Sequence, residues 1–465
     1  MTAASAITSV LGTDSFADYE QNVYRRHQEA AEVEIVASLN VIVSSAFLLQ
    51  VLKSWAKKAA CRFYGFRNIT IRLKSGKLWQ VLSPVFIKTK PKGKRGRVAK
   101  RQKGVVRHLG LELLGIIRQV SPALVEVCVS MAVLCPSFEV AANALRGFGV
   151  EMNQHFLQNL VQRFAGLAMS VRSECHVDET WQKPGLRILI CVDGGRIRER
   201  RNKRGRIKEG QKRHGFHSDW IEPRQLTINQ FDENGKKVKA VSPILDGSCG
   251  SMDDFFTLLK QHLQHINLDE AAEIVFCADG GVGIWPRTTQ LISELGLTKA
   301  YRILDYTHAK QNLCAVTKLI SDELKLSNKK ISKLSKQIGN LLWDGNITGI
   351  ADLVREKLSE KGAALMAAIK KLNGYFEDHS KFQYKTFREK NLPTGSGTVE
   401  SAIRRVINLR LKGTGIFWKK ENAEKIIFLR SLVLTGKLNR ACHNALRITR
   451  NMLDVHIPEG LLMPA

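Results

Sequence analysis

Two apolar runs in the chain end in one acidic signature. Ile188-Leu189-Ile190-Cys191-Val192 leads into Asp193-Gly194-Gly195, and Ile274-Val275-Phe276-Cys277-Ala278 leads into Asp279-Gly280-Gly281. Each puts a carboxylate where a buried strand would emerge, followed by glycines that let a backbone or a substrate come close. A third acid, Glu400, stands near the start of a helical stretch in Gly395-Ser396-Gly397-Thr398-Val399-Glu400-Ser401. Carboxylates converging from separate elements can hold Mg²⁺ or Mn²⁺ while leaving coordination positions for phosphate oxygens. Two such ions about 4 Å apart assist in-line displacement at phosphorus.

Each acid also has an ordinary reading. A single Asp-Gly is most simply a turn that ends a strand. Glu400 lies four residues before Arg404 and in a first helical turn, so a surface pair or a helix-dipole role also fits. The duplicated strand–acid–glycine pattern together with the third acid favours a metal cluster.

The charge balance points to the substrate. Lys and Arg number 72 against 43 Asp and Glu, a formal charge of +29. Such an excess favours salt-sensitive association with a phosphate backbone. It is also blocked along the chain. Lys88–Arg107 holds ten Lys/Arg and no acid, and Arg196–Arg213 holds ten against Glu199 and Glu209. Candidate phosphate contacts are Lys94, Arg95 and Arg97 in the first block, and Arg200, Arg201 and Arg204 in the second. Arg404, Arg410 and Lys412 near the third acid complete the set.

Nine cysteines without CxxC spacing fit reduced, buried thiols rather than a zinc site. Ile35–Leu52 carries no charge and approaches membrane-span length. Ser38, Asn40, Ser44, Ser45 and Gln50 interrupt it, which favours a buried helix. The expectation is a cytoplasmic protein with no membrane segment and no nucleotide cofactor.

The elements that must position these residues fall into five stretches. Residues 1–108 read as a helical segment, a β-hairpin around Ser75-Gly76 and a basic loop. Residues 109–180 read as helical, with Ser137 and Asn153 as caps on either side of a Gly147-Phe148-Gly149 break. That pair could be a DNA-binding helix-turn-helix or any αα-hairpin. Residues 186–309 alternate strands and helices, with strands expected at 225–231 and 238–241 around Asp232-Glu233-Asn234-Gly235. Residues 310–392 read as a Lys-rich helical insertion, and 393–465 as the third-acid helix and a basic helical tail. The fold class is α/β with a mixed sheet.

The combined pattern resembles DDE-type bacterial insertion-sequence transposases. It is carried by Val192-Asp193-Gly194-Gly195, Cys277-Ala278-Asp279-Gly280-Gly281 with Trp285, and Leu304-Asp305-Tyr306-Thr307-His308-Ala309. The block from Pro393 to Trp418, with Arg410-Leu411-Lys412-Gly413-Thr414-Gly415, completes it. The resemblance covers about 186–435. It implies an RNase H-like core with a helical insertion before the third acid, and Asp193, Asp279 and Glu400 as the ligands of two Mg²⁺ (or Mn²⁺) ions. It also implies metal-dependent DNA cleavage and strand transfer, and a homo-oligomer acting on DNA near the nucleoid. His308 would lie near the scissile phosphate; its plainer reading is a helix start capped by Asp305 or Thr307. Many relatives carry a Cys-rich zinc motif near the N-terminus, which this chain lacks. Two rivals stay open: a nuclease or resolvase of the same fold that cuts without joining, and a DNA-binding protein that has lost catalysis.

Overall fold

The computed structural model describes residues 12, 16–58, 60–88, 106–207, 210, 214–281, 283–358 and 362–452. Lys94, Arg95 and Arg97 lie outside the described residues, as does most of the first basic block. The chain divides into two compact units, one made of residues up to Val171 plus those from Asn439 onward, the other running from Arg172 to Leu438.

In the first unit, α1 (Phe16–Ser44) and α2 (Ala46–Lys58) cover an antiparallel hairpin of β1 (Cys61–Arg72) and β2 (Leu78–Lys88). Ser45 breaks the apolar stretch into two helices bent by 60°, and no single described helix is long and apolar enough to cross a membrane. Val43 packs with Ile71 and Val81, while Leu52 packs with Phe86 and Leu109. The hairpin turn is gripped by the buried Glu32 of α1. It accepts bonds from the Ser75 backbone N–H (2.8 Å), the Ser75 hydroxyl (2.6 Å) and Trp79 Nε1 (2.8 Å). The short β3 (Val106–Arg107) and α3 (Leu109–Leu113) follow.

Three helices complete this unit's central part: α4 (Pro122–Leu134), α5 (Phe138–Gly147) and α6 (Gln154–Ala168). The caps form as expected, with Ser137 Oγ accepting from Val140 N (3.0 Å) and Asn153 Oδ1 from Phe156 N (2.8 Å). The three helices pack on one another around Leu124, Leu145 and Leu160, all fully buried.

The second unit is a mixed α/β structure. Its strands are β4 (Arg187–Gly194), β5 (Ile197–Asn202), β6 (Phe216–Ile221), β7 (Arg224–Gln230), β8 (Ile244–Ser248), β9 (Glu273–Ala278) and β10 (Ala300–Leu304). Five of them form one sheet in the order β10-β9-β4-β7-β8. β4, β9 and β10 run parallel, whereas β7 runs antiparallel to both β4 and β8. The remaining two, β5 and β6, pair as a separate hairpin inserted between β4 and β7. The strand expected at 238–241 is not one: the sheet's next strand is Ile244–Ser248. Asp232 closes the intervening turn by accepting from the Asn234 and Lys236 amides (2.9 and 2.8 Å), and only a bridge from Phe231 to Lys237 follows.

Helices α7 (Met252–Leu263) and α8 (Ile284–Glu294) occupy the crossovers on either side of β9. After β10 come α9 (Tyr306–Glu323), α10 (Asn328–Trp343), α11 (Ile347–Leu358), α12 (Gly362–Tyr375) and α13 (Tyr384–Glu389). Helix α14 (Gly397–Ala402) packs on β4 and β7 and continues as a π-helical segment, Ile403–Asn408, then the short α15 (Leu409–Leu411). Helix α16 (Lys420–Leu434) lies against β8, and α17 (Leu438–Met452) ends the described chain.

Candidate functional site

The three parallel strands finish in step. Val192 pairs with Ala278, and Ala278 with Leu304; the next residue in each strand is an aspartate, Asp193, Asp279 and Asp305. Carboxyl ends of parallel strands are where open α/β sheets place ligands. The three aspartates then diverge in role.

Asp305 is 2% exposed and fully engaged. Its N–H donates to Ala278 O (2.8 Å), its Oδ1 accepts the His308 amide (2.9 Å) and caps α9, and its Oδ2 accepts the Ser396 amide. So Asp305 is the N-cap of the helix that carries His308, and the bond to Ser396 also fixes the entry to α14, which carries Glu400. The capping was foreseeable from the residue types; the second bond was not.

Asp193 and Asp279 are only partly buried and bond locally, Asp193 Oδ1 to Gly194 N (2.7 Å) and Asp279 Oδ1 to Gly281 N (3.0 Å). Trp285 Nε1 donates to the carbonyl of Asp279 (3.1 Å), holding that loop. Burial pushes the Asp193 carboxyl up to about 6, and the negative charges of Asp279 and Glu400 push the same way. Glu400 contributes from α14 with its side chain half exposed, and its Oε1 lies 3.5 Å from His308 Nε2. Asp193, Asp279, Glu400 and His308 therefore share one electrostatic neighbourhood.

Two glycines make this closeness feasible. A Cβ on Gly195 would meet Ile407 Cδ1 at 3.0 Å, so its absence admits the π-helical segment beside β4. A Cβ on Gly280 would fall 2.1 Å from the Tyr375 ring, which sits at the end of α12 in the helical stretch. The π-helical turn begins three residues after Glu400, in the kind of place where such wide turns often mark functional sites.

The second basic block is organised by alternation. Arg196, Arg198 and Arg200 lie on one face of the β5 ribbon, with Ile197 and Glu199 buried on the other. Arg196 and Arg198 stack on Trp220 (5.6 and 5.1 Å), Arg198 also on Phe417 (5.7 Å), and Arg200 on Phe216 (4.4 Å). Main-chain bonds from Arg200 N to Trp418 O (2.7 Å) and Trp418 N to Arg198 O (3.0 Å) add residue 418 to the ribbon's edge. None of the three arginines is ion-paired among the described residues. Arg201, by contrast, is neutralised by Glu199 (2.7 Å) and Asp219 (3.5 Å). Arg204 is exposed in the ribbon's turn, and Arg404 and Lys412 are exposed beside the third acid. Arg410 is only 3% exposed and stacks on Trp418 (5.0 Å), so it belongs to the packing rather than to a surface. Arg196 and Arg198 were not among the expected contacts, although their period-two spacing was visible in the sequence.

A second titratable cluster lies in the core of the same unit. Atoms of His176, Asp246 and His262 converge within 4.8 Å, and all three residues are buried. Arg172 occupies both oxygens of Asp246 (Nε–Oδ2 2.6 Å, Nη2–Oδ1 2.7 Å) and bonds Glu424 (2.9 Å). The guanidinium and the His262 bond (2.9 Å) hold the Asp246 carboxyl far below the usual carboxylate range, and burial keeps His176 well below its usual value. The cation that compensates Asp246 is therefore Arg172. All nine cysteines are free.

No protein-family model matches the chain, and no curated protein matches its sequence. Among solved structures, a Drosophila P element transposase strand transfer complex is similar at a TM-score of 0.24 and 11% identity, over 70% of this chain and 81% of that one.

Proposed function

We propose that the chain is a transposase with an RNase H-like core, which cuts and joins DNA strands at a divalent-metal site formed by Asp193, Asp279 and Glu400. One observation carries the reading: two carboxylates end adjacent parallel strands, and a third reaches the same neighbourhood from a helix packed on β4 and β7. The mixed sheet, the helical stretch between the second and third acids, and the basic face support it.

The donor set suits hard cations. The upward shift at Asp193 comes first from burial and then includes the negative charges of Asp279 and Glu400, with His308 acting the other way. Asp193, which feels the charge of both other acids, would hold Mg²⁺ or Mn²⁺ together with Asp279 and Glu400. The ions would supply charge stabilisation at the attacking and leaving oxygens. The chain's own residues do the rest. His308 Nε2, 3.5 Å from Glu400, orients that carboxylate, and in the protonated ring Nδ1–H can donate to a phosphate oxygen. Arg196, Arg198 and Arg200, each set over an aromatic ring, would offer N–H groups to successive phosphates.

In cleavage, a water oxygen bonds to phosphorus, the P–O3′ bond breaks, and a 3′-hydroxyl is released. In joining, that hydroxyl attacks a target phosphodiester, one P–O bond replaces another, and a new 3′-hydroxyl leaves. No external energy source is needed, and no covalent enzyme intermediate is involved. Synapsis of two DNA ends calls for a homo-oligomer on DNA, in the cytoplasm with the nucleoid.

The test is a strand-transfer assay with labelled element ends and Mg²⁺. Joined product supports the transposase, cleavage alone supports a nuclease, and binding alone supports an inactive DNA-binding protein. Asp193→Ala should lose both steps with binding nearly unchanged; joining that persists would remove Asp193 from the site.

A further inference from the structure

A pocket of 220 Å³ opens on the sheet face beneath α14, away from the strand ends where Asp193 and Asp279 lie. Its floor is β7 and β8, and its wall is α14 with the start of the π-helical segment. Thr227 and Asn229 project from alternate positions of β7, so both face the same side. Thr398, Ser401 and Arg405 come from the helix, and Lys237 from the turn before β8.

The chemistry of the lining is one-sided. No lining residue is acidic, two are cationic, and the rest of the polar set can donate hydrogen bonds. Asn229 is 2% exposed, and its Nδ2 has no hydrogen-bond partner. A buried amide left without a partner costs about 1–3 kcal/mol, so such a group is rarely left idle. The hydroxyls of Thr227 and Thr398 are hydrogen-bonded at 3.2 Å, so whichever one accepts can turn its proton toward the cavity. Neither Lys237 nor Arg405 has an ion pair among the described residues. Burial, and then the charge of Arg405, hold the Lys237 ammonium below its usual value.

We propose that this pocket is a phosphate-binding subsite, in which Lys237 and Arg405 take the charge, and Asn229 with the Thr227, Thr398 and Ser401 hydroxyls takes the remaining oxygens. A tetrahedral oxyanion offers four acceptor atoms to donors arriving from several directions, and this lining supplies them from a strand, a turn and a helix. The assignment does not depend on the metal-site reading, because none of the acids takes part in it. Two sources supply the same chemistry, a backbone phosphodiester of bound DNA or a free phosphate group. Ser401 and Arg405 follow Glu400 on one continuous helical path, so a backbone phosphate held here would fix a DNA strand relative to that acid.

The experiment is calorimetric titration of the full chain with inorganic phosphate in chloride buffer at fixed ionic strength. The variants are Asn229→Leu and the double variant Lys237→Met/Arg405→Met, each checked by thermal melting in chloride alone. Wild type should bind one phosphate per chain; the double variant should weaken binding at least tenfold, and Asn229→Leu several-fold. A saturating DNA duplex is then added. Displacement of the phosphate identifies the source as the DNA backbone, and undiminished phosphate binding identifies a free phosphate. Equal phosphate affinity in wild type and double variant would overturn the subsite, as would no binding to wild type. If Asn229→Leu melts early, the double variant, whose side chains lie at the rim, still decides the outcome.

Discussion

One oxygen of Asp305 accepts the backbone N–H of Ser396, while its other oxygen caps the helix that carries His308. Through this single buried side chain, the segment leading to Glu400 is tied to the strand end next to Asp279. Asp305→Ala leaves two amides without acceptors and should cost about 1–3 kcal/mol for each one that stays buried. Asp305→Asn keeps an acceptor for the cap and should recover part of the loss. Urea unfolding measures the cost, and faster hydrogen exchange at Ser396 would show that the tie is the part released.

Asp193 sets a pH dependence whose sign can be stated. Its carboxyl titrates at about 6 in the fold against an ordinary 3.8, so the native state holds the proton more tightly than the unfolded chain. The resulting stability is present in full below pH 3.8 and is lost as pH rises through about 6. Asp193→Asn removes this penalty. In metal-free buffer the variant should be more stable than wild type above pH 6, by roughly 1–3 kcal/mol, since a tenfold change in proton affinity is worth about 1.4 kcal/mol. The difference should vanish near pH 4. A difference that does not change with pH would contradict the burial and charge argument. Added Mg²⁺ should stabilise wild type above pH 6 and do less for the variant.

The Arg172–Asp246 pair should behave as a buried ion pair. Removing one partner, as in Asp246→Asn or Arg172→Met, strands a charge among His176, His262 and Phe428 and should cost about 3–5 kcal/mol. The double variant Arg172→Met/Asp246→Asn should lose less than the two single costs added together. Additive losses in a double-mutant cycle would mean that the two side chains act separately.

The ribbon arginines should be read through salt. Arg196→Ala, Arg198→Ala and Arg200→Ala should each weaken DNA binding nearly uniformly across sequences and lower the slope of log affinity against log salt by about 1. Arg201→Ala, already paired with Glu199 and Asp219, should change the slope much less. Trp220→Ala should act like a partial loss of Arg196 and Arg198, since it removes the ring over which both guanidinium groups sit. Filter binding across a salt series gives all five slopes.

Local chemistry carried well from sequence to structure where one residue type does one job. The Ser137 and Asn153 caps, the Asp232 turn and the strands at Arg187–Gly194, Glu273–Ala278 and Ala300–Leu304 follow from short-range rules. The strand that pairs with β7 beyond that turn did not. Val238-Lys239-Ala240-Val241 has the composition of an edge strand, but the sheet pairs the apolar Ile244-Leu245 instead, because burial decides between neighbouring candidates. The acids were visible as strand ends. What was hidden is long-range, namely the Asp305–Ser396 bond and the separation of stacked Arg198 from paired Arg201. Arg410 illustrates the limit, since a cation in a basic stretch looks like surface until the ring of Trp418 is seen to cover it.

The first unit is discontinuous, because it closes only when residues from Asn439 onward join those up to Val171. The uninterrupted stretch from Arg172 to Leu438 is made in between. At about 5–20 residues per second, the early part of the first unit waits on the order of tens of seconds for its last helix. During that interval Leu446, which lies against Gly115, is not yet synthesised, and the surface it will cover is open. The sheet unit emerges whole and can fold as the chain leaves the ribosome. Order of synthesis therefore favours the unit with the acids, and a nascent chain stopped short of Asn439 would hold that unit complete beside a first unit still lacking its closing helix.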